Sequence, residues 1–450
     1  MLSVPKVVLG RSFLYNNILV VEAKEQDLYS TLFFVGGEYG LEDILHTFTY
    51  KGKNYYVLPS SLSSYLSSVY PIVKIKNPKE VEQRFLQENV LPRSWQSLAI
   101  EKIISENKHK GIIKMPTGAG KTIFSLLLAN KLGQRAIVIV DRITILEQWE
   151  EAINKVFSGA KVKYLSSENL EKDILEENDF LLTSVQLLLN LIKTKYEQAV
   201  KLFDQSLYNM LIYDEAHTTS AAVMFGKSIS LFPNFKYVYG LTATPYISRF
   251  PLHFHTIGNV IVDPKEVGYK NDYAKNLQID FLITDLKPKI RRWPGMTEQH
   301  IRSGYQTAIE SNEKFLGEIE NLIKKLIKQG RKILLVVSRI KTTKILSKVF
   351  PNAKILTSQK RDEVNTGDNL IIATYGVAQK GIDFPQIDTL ISTVFIYGKV
   401  STVQLVGRIV RNFPGKQNPL VILAYDKLAE SIWGNIRDIV KDNLEKNFKR

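Results

Sequence analysis

A chain of 450 residues, 44% of them hydrophobic and 23% charged, can bury real cores and is long enough for two to four domains. It has no cysteine, which excludes disulfides, thiolate metal sites and cysteine nucleophiles and fits a reducing interior such as the cytoplasm. The net charge of +15 is uneven, with 32 Lys and Arg against 19 Asp and Glu in residues 265–450 and nine of each in residues 1–90, so the expected partner is a polyanion such as nucleic acid.

No apolar run approaches the ~18 residues that span a bilayer, and the first residues lack the basic-then-apolar pattern of a secretory signal; neither a membrane nor export is expected. Residues 1–90 alternate short β-like runs (17–21, 31–35, 54–58) with Gly and Asn turns, and 60–68, just after Pro59, reads as a short polar helix. This is a small α+β domain without legible chemistry. From 91 to 264 the pattern changes. Apolar runs at 112–115, 136–140, 181–184, 210–213 and 237–241 alternate with helical segments such as 122–131. Apolar runs without polar alternation, separated by helices, indicate a parallel sheet covered on both faces. The pattern resumes in 265–450, with strands expected at 333–338, 353–356, 370–374, 389–394 and 420–424 and a helix over 312–329. The fold class is α/β: two parallel-sheet domains in tandem, joined near 263–275, behind a small α+β domain.

Residues 115–122 read Met-Pro-Thr-Gly-Ala-Gly-Lys-Thr, between an expected strand and an expected helix, as a phosphate-binding loop requires. Gly118 and Gly120 let backbone N–H groups close on phosphate oxygens where a Cβ would obstruct; Thr117 and Ala119 belong to the same loop. The helix opening near Lys121 adds its positive dipole end. Lys121 suits the β- and γ-phosphates, and the Thr122 hydroxyl suits Mg²⁺. Asp214-Glu215-Ala216-His217 follows the run 210–213, at the C-terminal edge of a parallel sheet, where such sheets bind ligands. Asp214 is expected to hold Mg²⁺ through its water shell and Glu215 to orient and deprotonate the attacking water. Adjacent carboxylates are common on surface turns, but beside a phosphate loop they imply hydrolysis of a nucleoside triphosphate. Gln96, in Arg93-Ser94-Trp95-Gln96, can donate and accept at once, which suits an adenine edge; taken alone, an exposed helical glutamine is the plainer reading.

Far downstream, residues 404–411 read Gln-Leu-Val-Gly-Arg-Ile-Val-Arg. Arg408 and Arg411 fall on one helical face. A guanidinium binds phosphate bidentately, and one supplied by a neighbouring domain can be worth ~10³ or more in rate; a pair of surface arginines fits the spacing equally well.

Taken in order, the chain holds Arg93 to Gln96, the loop 115–122, Val140-Asp141-Arg142 through Gln148, Thr183-Ser184-Val185-Gln186, Asp214 to His217, Thr242-Ala243-Thr244, Val337-Ser338-Arg339, Ala373-Thr374 through Gly381-Ile382-Asp383, and 404–411. These nine blocks, across about residues 91–415, resemble a superfamily 2 helicase with a DEAH motif. The resemblance implies two RecA-like domains, 91–264 and 265–450, that use ATP and Mg²⁺. It implies a catalytic set of Lys121, Asp214, Glu215, Arg408 and Arg411. Arg93, Gln96, the loop from Thr117 to Thr122, Gly381, Asp383 and Gln404 would surround the nucleotide. His217, Thr242 and Thr244 would relay nucleotide state. Arg142, Thr183, Ser184, Ser338, Arg339, Thr357 and Thr374 would grip a nucleic-acid backbone without reading sequence. Asp141 departs from the small residue usual at its place.

Within the superfamily, size and layout are most similar to the UvsW-type recombination helicases of phages. That likeness implies a monomer in a bacterial or phage-infected cytoplasm that unwinds and branch-migrates forked or Holliday-junction DNA in recombination, repair or replication, with 1–90 as a candidate branch sensor. The alternatives are an RNA helicase, a duplex translocase that never separates strands, and a non-catalytic nucleic-acid-binding scaffold. The last predicts damaged catalytic positions, and all five stand intact. His253 and His255 read as structural, without further metal ligands in view. Residues 287–293, Lys-Pro-Lys-Ile-Arg-Arg-Trp, read equally as an exposed basic loop or as a DNA-contacting, strand-separating element.

Overall fold

The computed structural model describes residues 12–22, 46–50, 53–63, 72–74, 78–116, 118–219, 226–245, 256–269, 271–290, 294–380, 384–395, 405–411 and 413–448. It divides into two compact units, the first of residues 1–116 and 120–269, the second of residues 270–450 together with 117–119. The expected strand at 31–35 and the residues His253, His255, Thr117, Gly381, Asp383 and Gln404 lie outside the described residues, as do 291–293.

The first unit opens with Ser12–Leu14 (β1), Ile18–Glu22 (β2), His46–Tyr50 (β3), Lys53–Pro59 (β4) and Ile72–Lys74 (β5), in the sheet order β3-β4-β2-β1-β5. Only the β1–β5 pairing is parallel. After Pro59 the chain forms a 3-10 turn, Ser60–Leu62, and is α-helical at Ser63; the rest of the helix expected over 60–68 lies outside the described residues. Gln87–Glu88 (β6) leads into the motor sheet. That sheet consists of Lys110–Lys114 (β7), Arg135–Val140 (β8), Val162–Tyr164 (β10), Phe180–Ser184 (β11), Tyr208–Tyr213 (β12), Tyr237–Thr242 (β13) and Val260–Val262 (β14), while Phe157–Ser158 (β9) pairs with β6. Its order is β10-β11-β8-β12-β13-β7-β14, and every pairing is parallel. β8, β11, β12 and β13 are buried along their whole length, because helices cover both faces. Among these are Ser94–Ser105 (α1), Lys121–Lys131 (α2), Leu146–Val156 (α3) and Val185–Thr194 (α4).

The N-terminal sheet is not a free-standing module. Ile18, Val20 and Val57 belong to the same apolar cluster as Ile112, Ile137 and Val238 of the motor sheet. Asn17 donates from its backbone to Pro233 O at 3.0 Å and from its side chain to Phe232 O at 2.6 Å. Lys110 Nζ donates to Asn16 O. Lys110 starts β7, and Phe232 and Pro233 precede β13, so the small sheet docks at the N-terminal edge of the motor strands.

The second unit holds Gln278–Thr284 (β15), Ile333–Val337 (β16), Lys354–Leu356 (β17), Leu370–Thr374 (β18), Thr389–Ser392 (β19) and Leu420–Asp426 (β20), in the order β15-β20-β19-β16-β18-β17 and again all parallel. Glu298–Glu310 (α5), Glu313–Lys328 (α6), Ile340–Val349 (α7) and Ile436–Phe448 (α8) accompany it. The side chain of Asn312 caps α6 by accepting from Lys314 N and Phe315 N. The two large parallel sheets with their helices are the tandem RecA-like, α/β architecture.

Candidate functional site

In a parallel sheet every strand ends at the same edge. Residues that follow β7, β8, β11, β12 and β13 are therefore neighbours although distant in sequence. β13 lies between β7 and β12. That single fact sets Thr242 between the glycine-rich loop and the Asp214-Glu215 pair, and Met115 N donates to Thr242 O at 2.9 Å.

The loop needs its glycines. Gly118 and Gly120 take φ of +81° and +87°, the left-handed region that penalises side chains. Gly120 caps α2 in that conformation. Lys121, first in the helix, reaches the acidic pair, with Nζ at 2.7 Å from Glu215 Oε1. His217 Nδ1 lies 3.3 Å from Glu215 Oε2 and 2.9 Å from Thr242 Oγ1. Thr242 Oγ1 in turn accepts from Thr244 N at 3.0 Å. Lys121, Glu215, His217, Thr242 and Thr244 thus form one polar chain along the sheet edge.

Asp214 faces the same place from β12. Its Oδ2 accepts from Trp149 Nε1 at 3.0 Å and its Oδ1 from Glu215 N at 2.9 Å. Burial and the neighbouring Glu215 carboxylate push its pKa up to about 6, against the opposing pull of the Lys121 ammonium. Trp149 is a site residue that motif reading missed. It lies in α3, one residue beyond the block ending at Gln148, and its indole is 1% exposed; the nearest sequence signal is that adjacency.

No cluster of three or more His, Asp or Glu that would cage a metal occurs among the described residues. The Thr122 hydroxyl and the Asp214 carboxylate are hard oxygen donors, which fits a Mg²⁺ that keeps water and substrate phosphates in its shell.

Gln96 is 2% exposed rather than free on the helix surface. Its Oε1 accepts from Arg93 N at 2.9 Å and its Nε2 donates to Gly120 O at 3.3 Å. It therefore ties the start of α1 to the phosphate loop.

The expected backbone grips sort into two groups. Arg142 and Arg339 are exposed. Arg142 follows β8, with Nε 3.8 Å from Asp141 Oδ2, so Asp141 partly offsets the charge it neighbours. Arg339 follows β16 at the head of α7. Thr374 ends β18, beside Val337, the last residue of β16. Thr183, Ser184 and Thr357 are buried, and their hydroxyls have local work. Ser184 Oγ caps α4 by accepting from Leu187 N. Thr357 Oγ1 accepts from Gln359 N and Lys360 N. Thr183 Oγ1 points to Ser184 O at 3.4 Å. The Ser338 hydroxyl donates to Glu310 Oε2 at 2.8 Å. In the second unit Arg408 lies within a helical stretch, residues 405–409, and Arg411 just beyond it. The carbonyls of Val410 and Arg411 accept from Asn271 Nδ2 at 3.2 Å and Lys416 Nζ at 2.8 Å.

A glycine-rich loop between a parallel strand and a helix, with an acidic pair two strands away and a histidine linking that pair to the strand between, defines an ATP-driven motor. Comparison with known proteins agrees. Residues 89–247, about a third of the chain, match the family model described as Type III restriction enzyme, res subunit. The chain is similar to "Putative helicase 161L" of Invertebrate iridescent virus 6, at 26% identity over 71% of this chain and 72% of that protein. It is also similar to "Probable helicase D10" of Escherichia phage T5, at 23% identity over 69% of this chain and 66% of that one. Among solved structures, T4 UvsW aligns over 93% of this chain and 90% of its own at 14% identity, with a TM-score of 0.37. With the motif series, the matched segment and the viral relatives make the chain similar to superfamily 2 helicases.

Proposed function

We propose that the chain is an ATP- and Mg²⁺-dependent DNA helicase that moves along the phosphate backbone and remodels branched DNA, forks and four-way junctions, in recombination, repair or replication. In this reading 91–264 and 265–450 are the motor domains and 1–90 the candidate branch sensor. The observation that carries the motor reading is the polar chain from Lys121 through Glu215, His217 and Thr242 to Thr244. The branched-DNA reading rests on the layout of the chain and on the excess positive charge of residues 265–450.

The residues divide the chemistry as follows. Backbone N–H groups of the loop around Gly118 and Gly120 hold the phosphates, and Lys121 neutralises the terminal one. Thr122 and Asp214 would hold Mg²⁺, which offsets charge on the phosphate oxygens. Glu215 takes the proton of the attacking water. Before attack its carboxylate is shared between Lys121 and His217. When its proton balance and contacts change, His217 and Thr242 feel it directly, and Thr244 beyond them passes the change along the sheet edge. Arg408 and Arg411, on the second unit, are assigned to the transition-state charge. Arg142 and Arg339, one on each unit, are assigned to the DNA backbone.

The test is the ATPase rate with single-stranded DNA, duplex DNA, four-way-junction DNA and single-stranded RNA at matched nucleotide concentration. Strongest stimulation by the junction is expected. Strongest stimulation by RNA would overturn the DNA reading and leave the nucleotide site as assigned.

A further inference from the structure

Glu310 is the last residue of α5 and is 1% exposed. A buried carboxylate costs several kcal/mol unless its oxygens are satisfied, and no Lys or Arg among the described residues pairs with it. Neutral donors hold it instead. Oε1 accepts from Ser338 N at 2.7 Å, Thr393 Oγ1 at 2.7 Å and Gln306 Nε2 at 2.9 Å. Oε2 accepts from Ser338 Oγ and Thr342 Oγ1, both at 2.8 Å. The donors come from α5 itself, from the turn that opens α7, and from the residue after β19. Charge-assisted bonds of this kind are about twice as strong as neutral ones. The positive dipole end of α7, where an external anion would otherwise sit, is taken by the protein's own carboxylate.

The turn so held is Ser338-Arg339-Ile340-Lys341-Thr342. Both ends are bonded to Glu310, while Arg339 between them is exposed and has extended backbone angles. An arginine carries large rotamer entropy that binding must remove, and a fixed backbone spares the further cost of ordering the loop.

We propose that Glu310 is a positioning residue for nucleic-acid binding: it locks the Ser338–Thr342 turn so that Arg339 meets the phosphate backbone from a fixed base. The proposal rests on the assignment of Arg339 made above. It also changes the role of Ser338, whose hydroxyl serves the carboxylate and not the nucleic acid.

The experiment is a double-mutant cycle on the full chain with Glu310→Gln and Arg339→Ala. It reads the dissociation constant for a fluorescein-labelled oligodeoxythymidylate, the ATPase kcat and half-saturating DNA concentration, and the melting temperature. Arg339→Ala is expected to weaken binding about tenfold. Glu310→Gln puts an amide N–H where five donors converge and is expected to weaken binding severalfold, raising the half-saturating DNA concentration more than it lowers kcat. The double variant should be no weaker than Arg339→Ala alone, because the turn matters only through that arginine. Multiplying losses would overturn the proposal, since a merely structural carboxylate weakens binding independently of Arg339. Wild-type affinity for Glu310→Gln beside a weakened Arg339→Ala would also overturn it, leaving the assignment of Arg339 standing. A silent Arg339→Ala would overturn both. Thr342→Val removes one donor while keeping the carboxylate, so it covers the case in which Glu310→Gln fails to fold. It should weaken binding in the same direction to a smaller extent and lose that effect when Arg339 is already Ala; persistence of the effect would overturn the proposal.

Discussion

Glu215 takes φ of +44°, unusual for a non-glycine residue, and that backbone turn aims its carboxylate at both Lys121 and His217. Glu215→Gln keeps an oxygen for Lys121 but removes the proton acceptor. Turnover should fall about 10³-fold with nucleotide affinity retained in a fluorescent-nucleotide titration; turnover near wild type would remove Glu215 from the role of base. Trp149 acts one step back. Its indole N–H orients Asp214, and removing such a supporting bond typically costs 10–100-fold in metal affinity. Trp149→Phe should therefore raise the Mg²⁺ concentration for half-maximal ATPase roughly tenfold. An unchanged Mg²⁺ requirement with lowered kcat would show that the bond serves packing and not cation binding. The loop and the acidic pair were legible because their residue types and order are dictated by phosphate chemistry. Trp149 and Glu310 were not, because their roles lie in bonds to residues 65 and 28 positions away. For the same reason the local bonds of Ser338, Thr183, Ser184 and Thr357 were hidden: a hydroxyl that caps a turn and one that faces a ligand are the same residue type.

At the scale of elements, legibility followed position in the sheet. β8, β12 and β13 are central and wholly buried, so their apolar runs stand out. In the two large sheets β10, β14 and β15 escaped reading, and all three are edge strands, while the fourth edge strand, β17, was legible. β15 exposes Gln278 and Asp280, so it lacks the unbroken apolar run of a strand with two neighbours. The docking of the N-terminal sheet was equally hidden, because it depends on Lys110 entering the interface with Asn16. Burial pulls the Lys110 ammonium down from its ordinary 10.5 to about 8. In the unfolded chain the same group keeps its proton up to 10.5. Between pH 8 and 10.5 the unfolded state therefore binds more protons, and this group's contribution to stability rises with pH across that window; below pH 8 its penalty is fully present. Lys110→Met lacks the effect. The melting temperature of the wild type relative to Lys110→Met should climb as pH goes from 8 to 10.5 and stay level below 8, other titrations cancelling in the difference. A difference that ignores pH would mean that the ammonium stays hydrated and that the sheet is seated by its apolar contacts alone.

For the whole molecule, the excess of positive charge lies in residues 265–450, yet each unit offers an exposed arginine directly after a strand of its own parallel sheet, Arg142 after β8 and Arg339 after β16. A motor that steps needs two separate grips, since one that closes on the strand while the other lets go is the least that can move. The two arginines sit on different units and share no hydrogen-bond partner among the described residues. Their contributions should therefore add in free energy, to within about 0.5 kcal/mol. Each phosphate contact to a single strand contributes about 0.7 to the slope of log affinity against log salt. Arg142→Ala and Arg339→Ala should each flatten that slope by about 0.7, and the double variant by about 1.4, in fluorescence-anisotropy titrations across a salt series. Asp141, 3.8 Å from the Arg142 guanidinium, gives the prediction a finer edge: neutralising it with Asp141→Asn should tighten binding and steepen the slope, and do neither once Arg142 is Ala. A double variant no flatter than either single one would mean that the two arginines serve one contact, and the two-grip reading would fall with it.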